Sequence, residues 1–390
     1  MKNEKENEQE PKTASASNNF ERDLEFLSTH KKTLLLKRGN AMLAVVPDYQ
    51  GRVMTSSAQG MEGMSFGWIN YELIASGKTL PQINPVGGEE RFWLGPEGGQ
   101  FAIFFKNKKG FEMKDWVTPA ALDTESFDLV SSTDSTAFFS KEMKLENYSG
   151  YTFNIKAERA VSVLTEEEVE KLIGISLGNG LESIGYRTEN EIENTGKEAW
   201  KKETGLLSIW LLGMFNPGEE TTVVIPIKPT DSIQNFLKDD YFGKVPSDRL
   251  SVTDKAIFFK GDGEMRGKIG IRPEIATPFL GSYDAANNVL TIIHFSLGED
   301  TDYVNSLWEL QDEPYMGDAV NSYNDGANGE GNILGPFYEI ESSSPAKELA
   351  VGEKLKHTQE TIHIVGSPVE LDPIAKAVFG VGIEEIKIQE

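Results

Sequence analysis

The sequence predicts an all-β protein built as one large antiparallel β-sandwich with a few short helices. Apolar segments of strand length recur along the chain, and turn signals such as "NYSG", "ENTG" and "KGDG" separate them. The few helical segments do not alternate regularly with the strands, which argues against a parallel sheet. Between Leu34 and Val365 there is neither a linker nor a repeat of fixed period. Residues 20–390 are therefore predicted to form a single domain.

The strand candidates begin with a hairpin in which "AMLAVVP" and "RVMTSSA" flank the turn "PDYQG". Later candidates have high β-propensity and are bounded by Gly, Asn, Asp or Pro. They include "FAIFF", "TAFFSKEMKL", "YTFNIKAERAVSV", "SIGYRTENEI", "LSIWLLGMF", "TTVVIPI", "AIFFKG", "KIGIRP", "NVLTIIHFSL", "GPFYEIES" and "KLKHTQETIHIV".

Three short helices are predicted. The first covers Asn19 to Leu27. In the second, Thr165 caps "EEEVEKLIG", and Glu168 three positions later completes a capping box. The third is "LDPIAKAVFG", whose apolar residues recur at helical spacing.

The first nineteen residues are polar, charged and free of large apolar residues after Met1, so we expect them to be disordered. Such a leader is typical of an exported protein in the periplasm or at the cell surface, where it can tether a lipid anchor. An ordinary cytoplasmic tail has the same composition. No window of 18 continuous apolar residues is present, so no membrane-spanning segment is expected.

Charge and cysteine content exclude several classes of function. The 62 Asp and Glu residues outnumber 38 Lys and Arg, and the net charge of -24 opposes binding to nucleic acid. Cysteine is absent, which excludes disulfides, thiolate nucleophiles and cysteine-ligated metals. No cofactor motif is found. The sequence leaves the oligomeric state open.

The stretch "NPVGGEERFWLGPEGG", residues 84–99, combines two glycine pairs with an arginine, a tryptophan and acidic residues. Arg91 offers a planar set of donors to sugar hydroxyls or a carboxylate, and Trp93 offers a flat face for stacking on a sugar ring. Glu97 supplies an acceptor. These residue types are common in carbohydrate sites. Alternatively, Arg91 pairs with a neighbouring Glu and Trp93 lies in the core.

A second cluster, residues 308–332, lacks apolar periodicity and is rich in turn formers, which predicts a loop. Trp308 and Tyr315 are candidates for stacking on sugars. Asp318, Asn321 and Asp325 are candidates for binding hydroxyls, or for binding Ca²⁺ through oxygen ligands. The spacing does not match an EF-hand, so no metal site is assigned. A solvated surface loop is the alternative.

Two further candidates lie on late strands. In "FYEIESS" the period of two places Glu339 and Glu341 on one face, where two nearby carboxylates repel each other. The alternative is that this face is the solvated side of an antiparallel sheet. His294 in "LTIIHFSL" can face either the core or a cleft.

Three stretches in order along the chain resemble the galactose-mutarotase-like (aldose 1-epimerase-like) supersandwich group, in particular a branch common in Bacteroidetes. They are "LAVVPDYQGRVMTSSAQG", "GGEERFWLGPEGG" and "GPFYEIESSSPAKELAVGEKLKHTQETIHI". The resemblance implies two large antiparallel sheets, one with a concave face that binds sugars. It also implies a late-strand glutamate base, for which Glu341 is the first candidate and Glu339 the second.

The resembling epimerases also use histidines from earlier strands as acid and binder, but this chain has no histidine between Lys31 and Ile293. We therefore expect carbohydrate binding on the concave face, in an accessory role in glycan use. The first alternative is an epimerase or lyase-like enzyme in which Tyr, Arg or His294 replaces the usual acid. The second is a structural surface protein without a small ligand, which predicts buried aromatic residues and no groove.

Overall fold

The computed structural model describes residues 19–105, 110–327 and 333–388, and the predicted disorder of the leader falls almost entirely outside these ranges. Strands dominate the described chain. They are β1 (Leu34–Arg38), β2 (Ala41–Val46), β3 (Arg52–Ser57), β4 (Arg91–Gly95), β5 (Asp128–Ser132), β6 (Thr136–Glu146), β7 (Thr152–Val163), β8 (Glu182–Asn194), β9 (Ser208–Phe215), β10 (Thr221–Pro226), β11 (Leu237–Lys238), β12 (Leu250–Val252), β13 (Ala256–Lys260), β14 (Gly267–Ile271), β15 (Phe279–Asp284), β16 (Val289–Phe295), β17 (Val320–Asn324), β18 (Tyr338–Ser343) and β19 (Lys354–Val365).

The helices are short. They are α1 (Phe20–His30), α2 (Tyr71–Ser76), α3 (Ala120–Asp123), α4 (Glu166–Ile173) and α5 (Pro368–Phe379). Single 3₁₀ turns are found at Pro47–Tyr49, Met113–Asp115, Ile233–Asn235 and Ile383–Glu385. No helix within the described ranges has the length and apolar character needed to cross a bilayer.

The strands form three antiparallel sheets. The small sheet has the order β1-β2-β3, the large sheet β12-β13-β10-β15-β16-β19-β8-β7-β6-β5, and the six-stranded sheet β11-β14-β17-β18-β9-β4. Every strand pair within these sheets is antiparallel. This arrangement confirms the predicted all-β sandwich.

The two larger sheets pack face to face. In the six-stranded sheet, alternate residues such as Ile269, Val320 and Ile340 point inward and meet Ile257 and Ile293 of the large sheet. The intervening residues of the six-stranded sheet therefore point to its opposite side, which we call the outer face. That face carries the candidate site.

The predicted helix caps are present, with small changes in extent. Thr165 and Glu168 form the capping box of α4, as expected. The last helix begins at Pro368, three residues earlier than predicted, because Ser367 and Glu370 form a second capping box. Helices α4 and α5 pack on the side of the large sheet that faces away from the six-stranded sheet.

One strand prediction was wrong. The segment "FAIFF", residues 101–105, is largely buried but forms no regular strand. Its backbone makes turn bonds instead, from the N–H of Ala102 to the Gly99 carbonyl and from the N–H of Ile103 to the Pro96 carbonyl. Apolar content alone therefore predicted the burial of this segment but not its conformation.

Candidate functional site

The outer face of the six-stranded sheet brings together residues that are far apart in sequence. Trp93 on β4 lies opposite Trp210 on β9, and Arg91 lies opposite Leu212. Leu212 in turn lies opposite Glu341 on β18. Because side chains alternate along a strand, Arg91 and Trp93 share one face with Glu339 and Glu341.

Strands β17 and β14 extend this face. Tyr323 lies opposite Glu339, and Asn321 lies opposite Glu341. Lys268 lies opposite Tyr323 in the next strand. A cationic, a phenolic and an acidic side chain thus form one row across three neighbouring strands.

A pocket opens on this face above β4, β9 and β18, and we call it the aromatic pocket. Four of the six tryptophans of the chain line it. Its charged or polar lining residues are Arg91, Glu97, Arg266, Lys268, Tyr323 and Glu339, and its aromatic or apolar lining residues are Ile83, Trp93, Met113, Trp116, Trp210, Leu212, Met214, Phe242, Trp308, Leu334 and Phe337.

The tryptophans form a connected wall. Trp93 packs edge-on against Trp210 with ring centroids 5.5 Å apart, and Trp116 stacks on Trp308 at 6.1 Å. Trp93 donates its indole N–H to the Leu122 carbonyl at 3.0 Å, and the Arg91 guanidinium covers its ring at 3.8 Å. Trp93 is only 3% exposed, so it is a wall of the pocket rather than a free stacking platform. Trp308 is half-buried and is the better candidate for that role.

Two ion pairs cross the pocket floor. Arg91 Nη2 lies 3.2 Å from Glu339 Oε1, so Arg91 pairs with the late strand rather than with the glutamates beside it in sequence. Lys268 Nζ lies 3.0 Å from Glu341 Oε2, which also accepts the indole N–H of Trp210 at 2.8 Å. Glu341, our first candidate for the late-strand glutamate base, thus binds Lys268 and Trp210 through its Oε2 atom. It does not line the pocket. Glu339 does line it.

Burial changes the protonation of the pocket carboxyls. It raises the pKa of Glu339 to about 7, and the nearby Glu341 charge adds to this effect while Arg91 opposes it. Burial also raises the pKa of Glu97. For Lys268, burial lowers the pKa, but attraction to Glu341, Glu97 and Glu339 outweighs it, so its pKa is raised overall. The pocket therefore holds the Lys268 cation, and its Glu339 carboxyl exchanges a proton with solvent near neutral pH.

Several polar atoms at the pocket are buried without a hydrogen-bond partner in the described part of the chain. They are Nε and Nη1 of Arg91 and Nε of Arg266. A buried donor or acceptor without a partner costs about 1–3 kcal/mol, unless a ligand or water satisfies it. Donors that face a cavity are therefore ready to bind a polar ligand.

The pocket is small and has an apolar rim. Its inner space is about 100 Å³, which corresponds to roughly three water molecules at ~30 Å³ each. Met113, Phe242 and Leu334 at the rim are 46%, 41% and 37% exposed. This geometry admits one polar substituent or the edge of a sugar ring, while the rest of a ligand lies against the rim.

The glycines of residues 84–99 shape this site. Gly87 and Gly88 adopt φ values of +96° and +112°, which L side chains rarely adopt. A Cβ at Gly98 would collide with the Leu307 carbonyl oxygen. The Glu97 turn is thus held against residues 304–308, and the Glu97 N–H donates to Ser306 Oγ at 3.2 Å.

The predicted loop residues are divided between several places. Trp308 lines the aromatic pocket, whereas Asp318 and Asn321 line a smaller neighbouring cavity that shares Glu97, Trp210 and Lys268 with it. Asp318 accepts the hydroxyl of Tyr241 and the side-chain amide of Asn321.

Two of the predicted ligand-binding residues, Asp325 and Tyr315, line neither the aromatic pocket nor the smaller cavity. Asp325 accepts hydrogen bonds from the Tyr323 hydroxyl and from the N–H groups of Leu334 and Gly335. These bonds fix the positions of Tyr323 and Leu334, which line the pocket. Tyr315 stacks on Phe101 and donates its hydroxyl to the Lys202 carbonyl at 2.7 Å, outside the pocket.

His294 lies in a different part of the molecule. It belongs to β16 of the large sheet, on the face that carries Leu290 and Ile292 against α5. Its Nδ1 lies 2.8 Å from Glu360 Oε2. A strand's period of two turns His294 away from the six-stranded sheet, so the structure does not bring this candidate to the pocket.

Sequence reasoning missed Trp116, Trp210, Arg266 and Lys268. Only Lys268 had a usable signal, since it is a charged residue beside the apolar run "IGI". Within residues 19–105, 110–327 and 333–388, no group of three or more His, Cys, Asp or Glu residues is placed to hold a metal ion.

The fold matches solved structures of low sequence identity. A candidate aldose 1-epimerase from Escherichia coli K12 has a TM-score of 0.51 at 9% identity, with 86% of this chain and 99% of that chain covered. The Slr1438 protein from Synechocystis sp. PCC 6803 has a TM-score of 0.50 at 12% identity, with 86% and 96% covered. These matches confirm the predicted galactose-mutarotase-like fold.

Sequence comparison gives a family but no activity. A search of curated protein sequences yields no significant match. The model of a family of unknown function, DUF6786, matches residues 18–390. The chain therefore belongs to the family of unknown function DUF6786.

Proposed function

We propose that this protein binds a carbohydrate in the aromatic pocket, in an accessory role in glycan use. The observation that carries the proposal is that Arg91, whose Nε and Nη1 have no hydrogen-bond partner in the described residues, lines a cavity walled by four tryptophans. Sugars present hydroxyls beside apolar ring faces, and a site with donors beside indoles is complementary to both. The structural alternative predicts buried aromatic residues and no groove: Trp93, Trp116 and Trp210 are buried, but the presence of the pocket supports ligand binding over that alternative.

The fold likeness supports the proposal only at the level of architecture, because the identities are far too low to transfer an activity. The periplasm or cell surface, which the polar leader favours, remains the proposed location for such a role.

A glycan array followed by calorimetry on the array hits tests the proposal, using wild type, Trp308→Ala and Tyr315→Ala. Both residues are half-buried aromatics in one loop, but only Trp308 lines the pocket. Trp308→Ala should weaken binding by at least about tenfold, as expected for an aromatic contact residue. Tyr315→Ala should change it by less than about twofold. Equal losses in both variants, or no glycan signal for the wild type, would refute the proposal.

A second candidate function is supported by the two carboxyls with raised pKa values. Glu339 and Glu97 line the same pocket, and a carboxyl with a pKa of about 7 can both accept and donate a proton at neutral pH. Opening an aldose ring needs a base that removes the proton from the anomeric hydroxyl and an acid that protonates the ring oxygen. Glu97, which lines the same pocket and has a raised pKa, is the candidate for the role of the absent histidine acid.

Anomer exchange of reducing sugars, followed by polarimetry or NMR, tests this candidate. If it is correct, Glu339→Gln and Glu97→Gln should each lower the catalysed rate by about 10²-fold or more. Wild-type rates indistinguishable from the uncatalysed rate would leave binding as the only function of the pocket.

A further inference from the structure

We propose that the aromatic pocket selects a sugar carrying a carboxylate, such as a hexuronic acid, and that the guanidinium groups of Arg91 and Arg266 bind that carboxylate. This inference rests on the proposed function and specifies the class of its ligand.

Arg266 is the first observation. Its guanidinium lies 3.8 Å from the ring centroid of Phe242, and its Nε is buried without a hydrogen bond. It forms no ion pair with any residue in the described ranges. A planar guanidinium fixed by stacking, with free donors, has the geometry that binds a carboxylate through two parallel hydrogen bonds.

Arg91 is the second observation. It is 3% exposed and lines the pocket, yet only its Nη2 has a partner, the Glu339 carboxyl. Its Nε and Nη1 are unpartnered. A ligand carboxylate supplies two more acceptor oxygens, whereas a single sugar hydroxyl supplies one. An anionic substituent therefore satisfies this site more completely than a neutral one.

The pocket size agrees with this assignment. An inner space of about 100 Å³ accepts a carboxylate with its attached carbon, but not a buried oligosaccharide. The sugar ring then lies outside, against the exposed apolar side chains of Phe242 and Leu334.

The net charge of -24 does not oppose such a ligand at working ionic strength. The Debye length is about 10 Å at 0.1 M salt, so distant acidic residues are largely screened. Three cations line the pocket itself, against two carboxyls whose pKa values are raised by burial.

Binding of an anion should be coupled to Glu339. The charged or titratable groups facing it are Arg91 from β4, Lys268 from β14, Tyr323 and Asp325 from β17 and its end, Glu341 from its own strand, and Glu97 from the loop across the pocket. A ligand carboxylate at Arg91 adds negative charge beside Glu339 and raises the pKa of that carboxyl further. Uronate binding therefore takes up protons near pH 7 and tightens as the pH falls from 8 to 6.

Isothermal titration with D-galacturonate and D-glucuronate, compared with D-galactose and D-glucose, tests the inference. At least one uronate should bind about tenfold tighter than its neutral counterpart. Arg266→Gln should remove that preference. Arg272→Gln is the matched control, because Arg272 pairs with Glu274 outside the aromatic pocket, and it should leave the preference intact.

Glu339→Gln supplies a second readout. If the inference is correct, this variant binds the uronate without the pH dependence between 6 and 8, because the coupled proton is gone. A neutral sugar that binds as tightly as its uronate would overturn the inference while the proposed function stands. If no sugar binds, either in the titrations or on the glycan array, both the inference and the proposed function are refuted.

Discussion

Two regions of this protein bury charged side chains on opposite faces of the same sheet. On the inner side, Glu89, Glu90, Arg159 and His363 form what we call the inner charged cluster. Arg159 Nη2 lies 2.8 Å from Glu90 Oε1, and His363 Nε2 lies 3.1 Å from Glu89 Oε2. These four residues are 0–1% exposed. On the outer side, the aromatic pocket holds its own ion pairs beside a space that opens to solvent.

One short segment supplies both regions. In "GGEERFW", Glu89 and Glu90 turn inward, while Arg91 and Trp93 turn outward to the pocket. In the inner cluster, Nε and Nη1 of Arg159 donate to the Gly51 carbonyl and to Asn190 Oδ1, and Nη2 forms an ion pair with Glu90 Oε1 without hydrogen-bond geometry. In the pocket, Arg91 Nη2 donates to Glu339 Oε1. Burial alone therefore does not distinguish structural charges from ligand-binding ones. The pocket differs because the two unpartnered donors of Arg91 belong to a side chain that lines an open space.

The largest expected effect comes from making the same change in both regions. Arg159→Met removes the cation that pairs with the buried Glu90 carboxylate, which keeps its bond from Gln359 Nε2, and should lower the free energy of unfolding by about 3–5 kcal/mol. Arg91→Met leaves only Glu339, which takes up a proton near neutral pH, and should cost about 1–2 kcal/mol. Urea denaturation at pH 7 measures both.

Equal losses in the two arginine variants would mean that the pocket is held together as tightly as the inner cluster. The distinction between a structural and a ligand-binding region would then fail.

The next effect is a pH dependence specific to the pocket. Glu339 has a pKa of about 7 in the folded protein, above its value of about 4.5 in the unfolded chain. Between these two pH values the folded state binds more protons than the unfolded state. The contribution of Glu339 to the free energy of unfolding is therefore fully present below pH 4.5 and is lost as the pH rises through 7. The loss is of the order of 3 kcal/mol.

Denaturation curves of wild type and Glu339→Gln from pH 4.5 to 8 isolate this contribution, because the variant cannot titrate at this position. The stability of wild type relative to the variant should fall across that range. A constant difference would show that Glu339 titrates normally and is not desolvated in the pocket.

The smallest effect is expected at His294, outside both regions. The side chain is 27% exposed, and Glu360 keeps its 2.7 Å contact with Arg187 when the histidine is replaced. His294→Gln should therefore lower the free energy of unfolding by less than about 1 kcal/mol and leave sugar binding unchanged. A loss of binding in this variant would place the site on the large sheet instead.

The sequence predicted the fold class and part of the site. Strand alternation in "FYEIESS" correctly places Glu339 and Glu341 on one face, because a period of two needs no knowledge of neighbouring strands. The Gly-rich segment was selected as a candidate because its arginine, tryptophan and glutamates are residue types common in carbohydrate sites.

The remaining site residues depend on strand order. Lys268, Tyr323, Glu339 and Arg91 meet because β14, β17, β18, β9 and β4 are neighbours in the sheet, although not in sequence. Trp210 lies in β9, where every residue is buried, so its burial pattern carries no information about which face it occupies. Trp116 lies in an irregular segment, where the spacing of apolar residues does not predict the direction of a side chain.

The central claim is that sugar binds at the aromatic pocket. Fluorine NMR of 5-fluorotryptophan-labelled protein tests it most directly, with the signals assigned by single Trp→Phe variants. Titration with glucose, galactose, mannose, glucuronate and galacturonate should shift the signals of Trp116, Trp210 and Trp308 for at least one sugar. The signal of Trp200, which packs against Phe153 in the core, should stay unchanged. A shift confined to Trp200, or no shift with any of these sugars, would contradict the account.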